Sequence, residues 1–320
     1  MRKIFVIVLV LGMGYALFAA ALWRLTDGFR LAHIQSDAAF SLRWEITGQD
    51  EAMAKDLLAQ KFYYIGKGSQ CYVFESTDHD VVLKLFRYPR YRLHPIARYI
   101  TAPAFVAEIQ NARAAVKQQK LDDLFTSCML AYQELHEETG LVYLHLNKTD
   151  HLKQTVVLHD KLRRAYPIAI DDYEFVIQKK GEQIFPYLTR LLIQNKKQEA
   201  RQALGDLAAL LHRRVQKGIE DYDAVIHKNS GFRGQKALFL DVGGFARSAP
   251  PNAQEILWRT TKKLRAWLNA QDLQLAEYFE QALRNDGIPL SNVYFSLESG
   301  KSAQGFSHES PLLIKSIQNM

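Results

Sequence analysis

Three features of this 320-residue chain could do chemistry together. Gly66-Lys67-Gly68-Ser69-Gln70-Cys71-Tyr72-Val73 places two glycines at a bend between two runs of alternating aromatic and aliphatic residues. Glycines there let the backbone approach a phosphate and offer N–H donors with no Cβ in the way. Lys84 follows within the apolar run Val81 to Phe86. A lysine is costly to bury without a partner, so a phosphate or a carboxylate is the natural reason for it, unless it points to the solvent face. Asp241 ends the aliphatic run Ala237 to Leu240 and precedes Val242-Gly243-Gly244. A carboxylate at a strand end with flexible backbone behind it suits a hard cation such as Mg²⁺, although Asp-x-Gly-Gly is also ordinary turn chemistry.

The elements that must position these groups are legible from periodicity. Lys61 to Glu75 and Val81 to Phe86 read as antiparallel strands with a turn at residues 76–80. A long helix is expected over about Ala104 to Glu138, then strands at Gln154–Leu158, Pro167–Ile170 and Glu174–Gln178. From Phe185 the pattern is nearly all helical, including Glu199–Val215, Asn252–Asn269 and Asp272–Arg284, with loop and short strands over residues 217–245. The fold class expected is therefore α+β in two lobes: a small antiparallel β-lobe with one helix, residues 61–182, and a helical lobe, residues 183–286. The stretch 24–60 is expected to be a juxtamembrane helical connector, with Leu31, Ile34 and Ala38 at helical spacing and a second helix near residues 50–60. Residues 287–320, rich in Ser and Gly, are expected to be loosely ordered.

The 20 residues from Ile4 to Trp23 carry no charge. At about 1.5 Å per residue a helix of that length matches the roughly 30 Å hydrocarbon core, so a single-pass membrane anchor is expected. A cleaved signal peptide is the competing reading, given Arg2, Lys3 and the small residues Ala19-Ala20-Ala21. Positive-inside counting, Arg2 and Lys3 against Arg24, Arg30 and Arg43, scarcely separates the two orientations. Lys plus Arg number 41 against 34 Asp plus Glu, for a net +7, but no run of five like charges occurs. No nucleic-acid partner is therefore expected. The two cysteines, Cys71 and Cys128, lack Cys or His neighbours at metal spacing, which gives neither a disulfide scaffold nor a zinc site.

In this order and spacing, the motifs resemble those of the protein-kinase-like superfamily, over about Lys61 to Phe245, and most closely its atypical bacterial members. The family's G-x-G-x-x-G-x-V loop is matched by Gly66, Gly68 and Val73, with Cys71 in the third glycine's place. Val82-Leu83-Lys84 is similar to the family's lysine strand, and Asp241-Val242-Gly243 to its D-F-G. The resemblance implies ATP and Mg²⁺ as cofactors, with Lys84 on the α- and β-phosphates and Asn229 and Asp241 as metal ligands. It implies a helix carboxylate paired with Lys84. Counting back from Leu144-His145-Leu146-Asn147, which resembles the family's H-P-N turn, Glu134 is best placed, among Glu137 and Glu138, with Glu108 as runner-up. The implied adenine hinge is Gln178 to Gly181, with Gln178 and Lys180 as nucleotide-binding residues.

The match departs from the family at the catalytic base. H-R-D-x-x-x-x-N puts Ala224 five residues before Asn229, where no proton acceptor stands. Asp223, one residue further off, is the expected base if the loop carries an insertion, with Asp221 as the alternative. No A-P-E-like element follows Asp241, so the peptide-substrate platform of eukaryotic kinases is expected to be absent. The resemblance thus implies an ATP-dependent transferase at the membrane, its domain on the cytoplasmic side where ATP is. The alternatives are a membrane-anchored pseudokinase acting as a nucleotide-binding or scaffold module, and a secreted binder. The phosphoryl acceptor is unknown.

Overall fold

The computed structural model describes residues 2–93, 104–223, 225–248 and 253–284. The tail from 287 onward and Ala224 lie outside the described residues. Helix α1 (Arg2–Thr26) is long and apolar enough to cross a membrane, by length and composition. Helices α2 (Leu31–Ile34) and α3 (Glu51–Leu58) follow, the second capped by the Asp50 carboxylate, which accepts the Met53 N–H at 2.9 Å. Strands β1 (Lys61–Lys67), β2 (Cys71–Ser76) and β3 (Val81–Phe86) form a meander. Helices α4 (Ala104–Glu134) and α5 (His136–Thr139) lead into β4 (Leu141–His145), β5 (Thr155–His159), β6 (Ala165–Ala169) and β7 (Phe175–Lys179).

These seven strands form one sheet in the order β4-β7-β3-β2-β1-β5-β6. Every pair is antiparallel except β1 with β5, which run parallel, so the expectation of a purely antiparallel lobe is corrected. The chain leaves β4 at one edge and crosses to the far side before β5, and a crossover of this kind brings strands in parallel. Side chains of Leu83 and Leu85 face one side of the sheet, where Phe29, Ile34, Ala54 and Leu58 from residues 24–60 are buried against them. On the other side, Phe86, Leu144 and Val176 meet α4. The helix offers Leu121, Leu124, Phe125, Cys128 and Ala131, an apolar stripe at three- and four-residue spacing.

After β8 (Glu182–Gln183) come α6 (Ile184–Ile193) and α7 (Lys197–Gln216), and then β9 (Ile219–Asp221), α8 (Ile226–Asn229), β10 (Ser230–Arg233), β11 (Lys236–Phe239) and β12 (Phe245–Arg247). Helices α9 (Ala253–Thr260), α10 (Lys262–Gln271) and α11 (Leu273–Arg284) complete the described chain. Helix α7 lies at the centre of this part, with Leu204, Leu207, Ala208 and Leu211 all buried. Strand β10 pairs with both β11 and β8, and β12 with β9. Gly231 in β10 lies so close to the Glu182 carbonyl that a Cβ there would collide with it. Two small ribbons are thereby held under the large sheet.

Candidate functional site

Strand alternation decides where Lys84 points. With Leu83 and Leu85 committed to the outer core, Lys84 faces the opposite side, and its strand neighbours are Val73 on β2 and Val176 on β7. It looks into a cavity of about 760 Å³ between the large sheet and the two ribbons, a size that suits a small-molecule ligand. The bend carrying Gly66 and Gly68, with Val73, closes the cavity above, and Gln178 and Lys180 line it beside Lys84. Asp223, Asn229 and Asp241 line it below. The structure therefore brings together nine of the ten residues expected at the site.

The floor is tied together largely through the main chain. The Asn229 carbonyl accepts the N–H groups of Leu240 at 2.7 Å and Asp241 at 3.1 Å, which sets asparagine and aspartate side by side. The Asn229 side-chain amide donates to the Asp223 carbonyl. The Lys84 ammonium donates to the Leu240 carbonyl, one residue before Asp241. Asp223 has its N–H on Asp221 Oδ1 at 3.0 Å, while its side chain is exposed within the cavity. Asp221 itself is buried and faces away, 3.1 Å from Arg214, which is fully enclosed. Burial pushes the Asp221 carboxyl up, against the pull of Arg214. Asp221 is thus the support and Asp223 the group with access to the cavity.

Glu134 is the residue the structure sets apart. Its carboxylate pairs with Arg247, and its carbonyl accepts from Lys217. The other acids do not reach Lys84 either: Glu137 lies 3.6 Å from Lys236, Glu138 sits 3.6 Å from Arg213 and 3.4 Å from Lys217, and Glu108 is exposed. The expected pairing with Lys84 is therefore corrected. What α4 sets beside the cavity is Ser127 and Cys128, and Glu134 lies about 9 Å further along the helix axis than Cys128. The Ser127 hydroxyl donates to the Val242 carbonyl and accepts the Phe245 N–H at 2.6 Å, gripping the segment after Asp241. Burial pushes the Cys128 thiol up to about 12, with Asp241 adding to the effect.

Two further expectations change at the hinge. Lys180 spends its N–H on the Asp80 carbonyl at 2.9 Å and pairs its ammonium with Glu75, so its backbone donor is not free for a base. Gln178 is buried, and its amide donates to the carbonyls of Thr139 at 2.6 Å and Phe239 at 2.9 Å, which joins sheet to ribbon. Sequence reading missed Gln70, whose amide reaches from the bend to the Gly243 carbonyl at 3.2 Å. A Cβ on Gly243 would push that amide aside. It also missed Ser127, although a serine inside the apolar stripe of α4 was a readable signal.

No family model matches the chain, and no curated protein matches it. Among solved structures it is similar to WbdD in a 2.2 Å crystal structure, at 14% identity and a TM-score of 0.34, over 68% of this chain and 44% of that one. A co-crystal structure of WbdD and the kinase inhibitor LY294002 gives 13% identity and the same TM-score, over 74% of this chain and 50% of that one. The chain spans about half the length of these structures or less.

Proposed function

We propose that the protein is a membrane-anchored, ATP- and Mg²⁺-dependent phosphotransferase with a kinase-like site. The observation that carries this reading is the convergence of Lys84, Asp223, Asn229 and Asp241 on one cavity beneath a glycine bend. The residues fit the groups assigned to them. Nothing lies within 4 Å of where a Cβ would stand on Gly66 or Gly68, which leaves room for phosphate oxygens against the backbone. Asp241 and Asn229 supply oxygen donors of the kind a hard divalent cation takes. Bound there, Mg²⁺ would neutralise charge on the phosphates.

In this reading the chain contributes position and charge rather than covalent chemistry. Lys84 holds the phosphates, the bend covers them, and Asp223 accepts the proton of the attacking hydroxyl. The Lys67 ammonium, at the cavity rim, donates to the Asp27 carbonyl just after α1 and lies 4.3 Å from the Trp23 ring. This contact supports an acceptor carried at the membrane surface; the cytoplasmic side is assigned because ATP is there. The full chain in detergent, heated with and without Mg·ATP and assayed for ADP release, tests the proposal. A melting temperature indifferent to millimolar Mg·ATP would overturn it.

One observation favours the pseudokinase reading. Lys84 takes a carbonyl instead of a helix carboxylate. Nucleotide-dependent stabilisation with no ADP release above background would decide for it.

A further inference from the structure

The turn Leu144-His145-Leu146-Asn147 lies outside the cavity, and its histidine belongs to another cluster. We propose that His145, His151 and Asp171 form a binding site for one divalent transition metal of the zinc class, which staples the β4–β5 connection to the sheet. His145 ends β4, His151 lies in the connection, and Asp171 sits in a 3-10 turn between β6 and β7. One ligand atom from each falls within 4.8 Å of the other two.

The protonation pattern points the same way. His145 is buried and stacks on Phe175 with ring centroids 4.8 Å apart. Its Nδ1 is 2.7 Å from the Tyr173 carbonyl, which can only accept, so Nδ1 carries the hydrogen and Nε2 presents a lone pair. A ligating histidine ordinarily has this outer anchor. The Asp171 carboxylate accepts the Leu152 N–H at 3.1 Å on Oδ1 and the Lys153 N–H at 2.7 Å on Oδ2.

The Thr149 hydroxyl oxygen is 2.8 Å from His145 Nε2 and 2.8 Å from Asp171 Oδ1, so it bridges the two groups. A cation bound to Nε2 and Oδ1 would take over that bridge. His151, half-exposed with Nε2 3.0 Å from the Tyr143 hydroxyl, supplies the third donor. Ligands held about 2.0–2.1 Å from zinc in a tetrahedron are about 3.3 Å apart. Closing the site asks for a shift of up to about 1.5 Å, which a half-exposed residue of a connection can make. Two imidazoles and one carboxylate suit zinc, cobalt or nickel and leave a fourth position open; the Glu51 carboxylate is 4.0 Å from His151 Nε2.

The test uses the full chain in detergent, stripped with a chelator and titrated with Zn²⁺ alone against a chromophoric competitor. One Zn²⁺ per chain is expected, retained in Asp241→Asn, which separates this site from the nucleotide cavity. His151→Ala should weaken binding by tenfold or more, beyond what loss of an outer-shell partner costs at its mildest. Co²⁺ in the unaltered protein should give the visible absorption of a tetrahedral site, a readout independent of any variant's folding. Absence of stoichiometric Zn²⁺, absence of the Co²⁺ bands, or His151→Ala binding within tenfold of the unaltered chain would each overturn the proposal.

Discussion

Asp223→Ala separates transfer from binding, because Asp223 is tied into the floor by its backbone while its side chain stands free in the cavity. Its N–H is held by Asp221 Oδ1 at 3.0 Å, and its carbonyl accepts from Asn229. Both bonds survive truncation at Cβ. Stability should therefore stay within about 0.5 kcal/mol of the parent, as for an exposed substitution. Stabilisation by Mg·ATP should also be unchanged. ADP release should fall about 10²- to 10⁴-fold, the range for loss of a positioned base, which corresponds to about 2.7–5.5 kcal/mol in the barrier. Asp221→Ala should instead cost stability, and turnover with it, because it also removes the acceptor of the Asp223 N–H. It leaves the fully enclosed Arg214 guanidinium without its carboxylate, a loss of about 3–5 kcal/mol in stability. The pair Arg214→Met with Asp221→Leu should recover most of that. Melting curves and ADP release on the same preparations decide. A folded Asp223→Ala protein with turnover within tenfold of the parent would refute the assignment of the base.

Lys84→Ala should weaken Mg·ATP at least tenfold: at a concentration that stabilises the parent by about 2.7 kcal/mol, the variant should gain no more than about 1.4 kcal/mol, read from melting temperatures. Gln70→Ala should loosen the tie between the bend and the segment after Asp241 and cost about 0.5–1.5 kcal/mol in denaturant titrations, as for one lost hydrogen bond. His33, His145 and His227 are each held below the ordinary histidine value, chiefly by burial. The unfolded chain therefore binds protons first as pH falls. Stability should be full above about pH 6.5 and decline below it, with the buried His145 contributing most and the partly exposed His33 and His227 less because solvent screens them. In chelator, His145→Gln should flatten that decline in melting curves between pH 6.5 and 5.

The strands around Lys84 were legible because their side chains alternate between two different environments. The lysine's direction was open in the sequence and is decided by the packing of Leu83 and Leu85 on the other face. The rotation of α4 was not legible, since its first half carries polar residues on every side and no stripe begins before Leu121. Counting back from a turn then fixes a position along the axis without fixing a face, and Glu134 was chosen on distance alone. Strands of two to four residues, such as β8, β9 and β12, are too short to show a period. The parallel placement of β5 beside β1 depends on a crossover that nothing local encodes. The pairing of Arg214 with Asp221 was not legible either, because it depends on the turn between α7 and β9.

The same geometry explains how the floor can be ordered without a carboxylate on α4. The lysine is bonded to the Leu240 carbonyl, and the next residue is Asp241, so cation and anion are set relative to each other by one peptide unit. That unit is fixed in turn by the Asn229 carbonyl, which accepts the unit's own N–H, that of Asp241, and the preceding one, that of Leu240. Helix α4 acts one step further along, where Ser127 bonds to both Val242 and Phe245. A displacement of α4 would therefore be felt first by the segment after Asp241 and only through it by Lys84. Ser127→Ala leaves the buried Phe245 N–H without its acceptor, and an unpaired buried donor of this kind costs about 1–3 kcal/mol. The loss should appear as weaker Mg²⁺ dependence of nucleotide binding, because Asp241 loses its support, while nucleotide binding without the metal is little changed. If Ser127→Ala weakened both to the same degree, the serine would be bracing the whole cavity and the order of coupling argued from these bonds would be wrong.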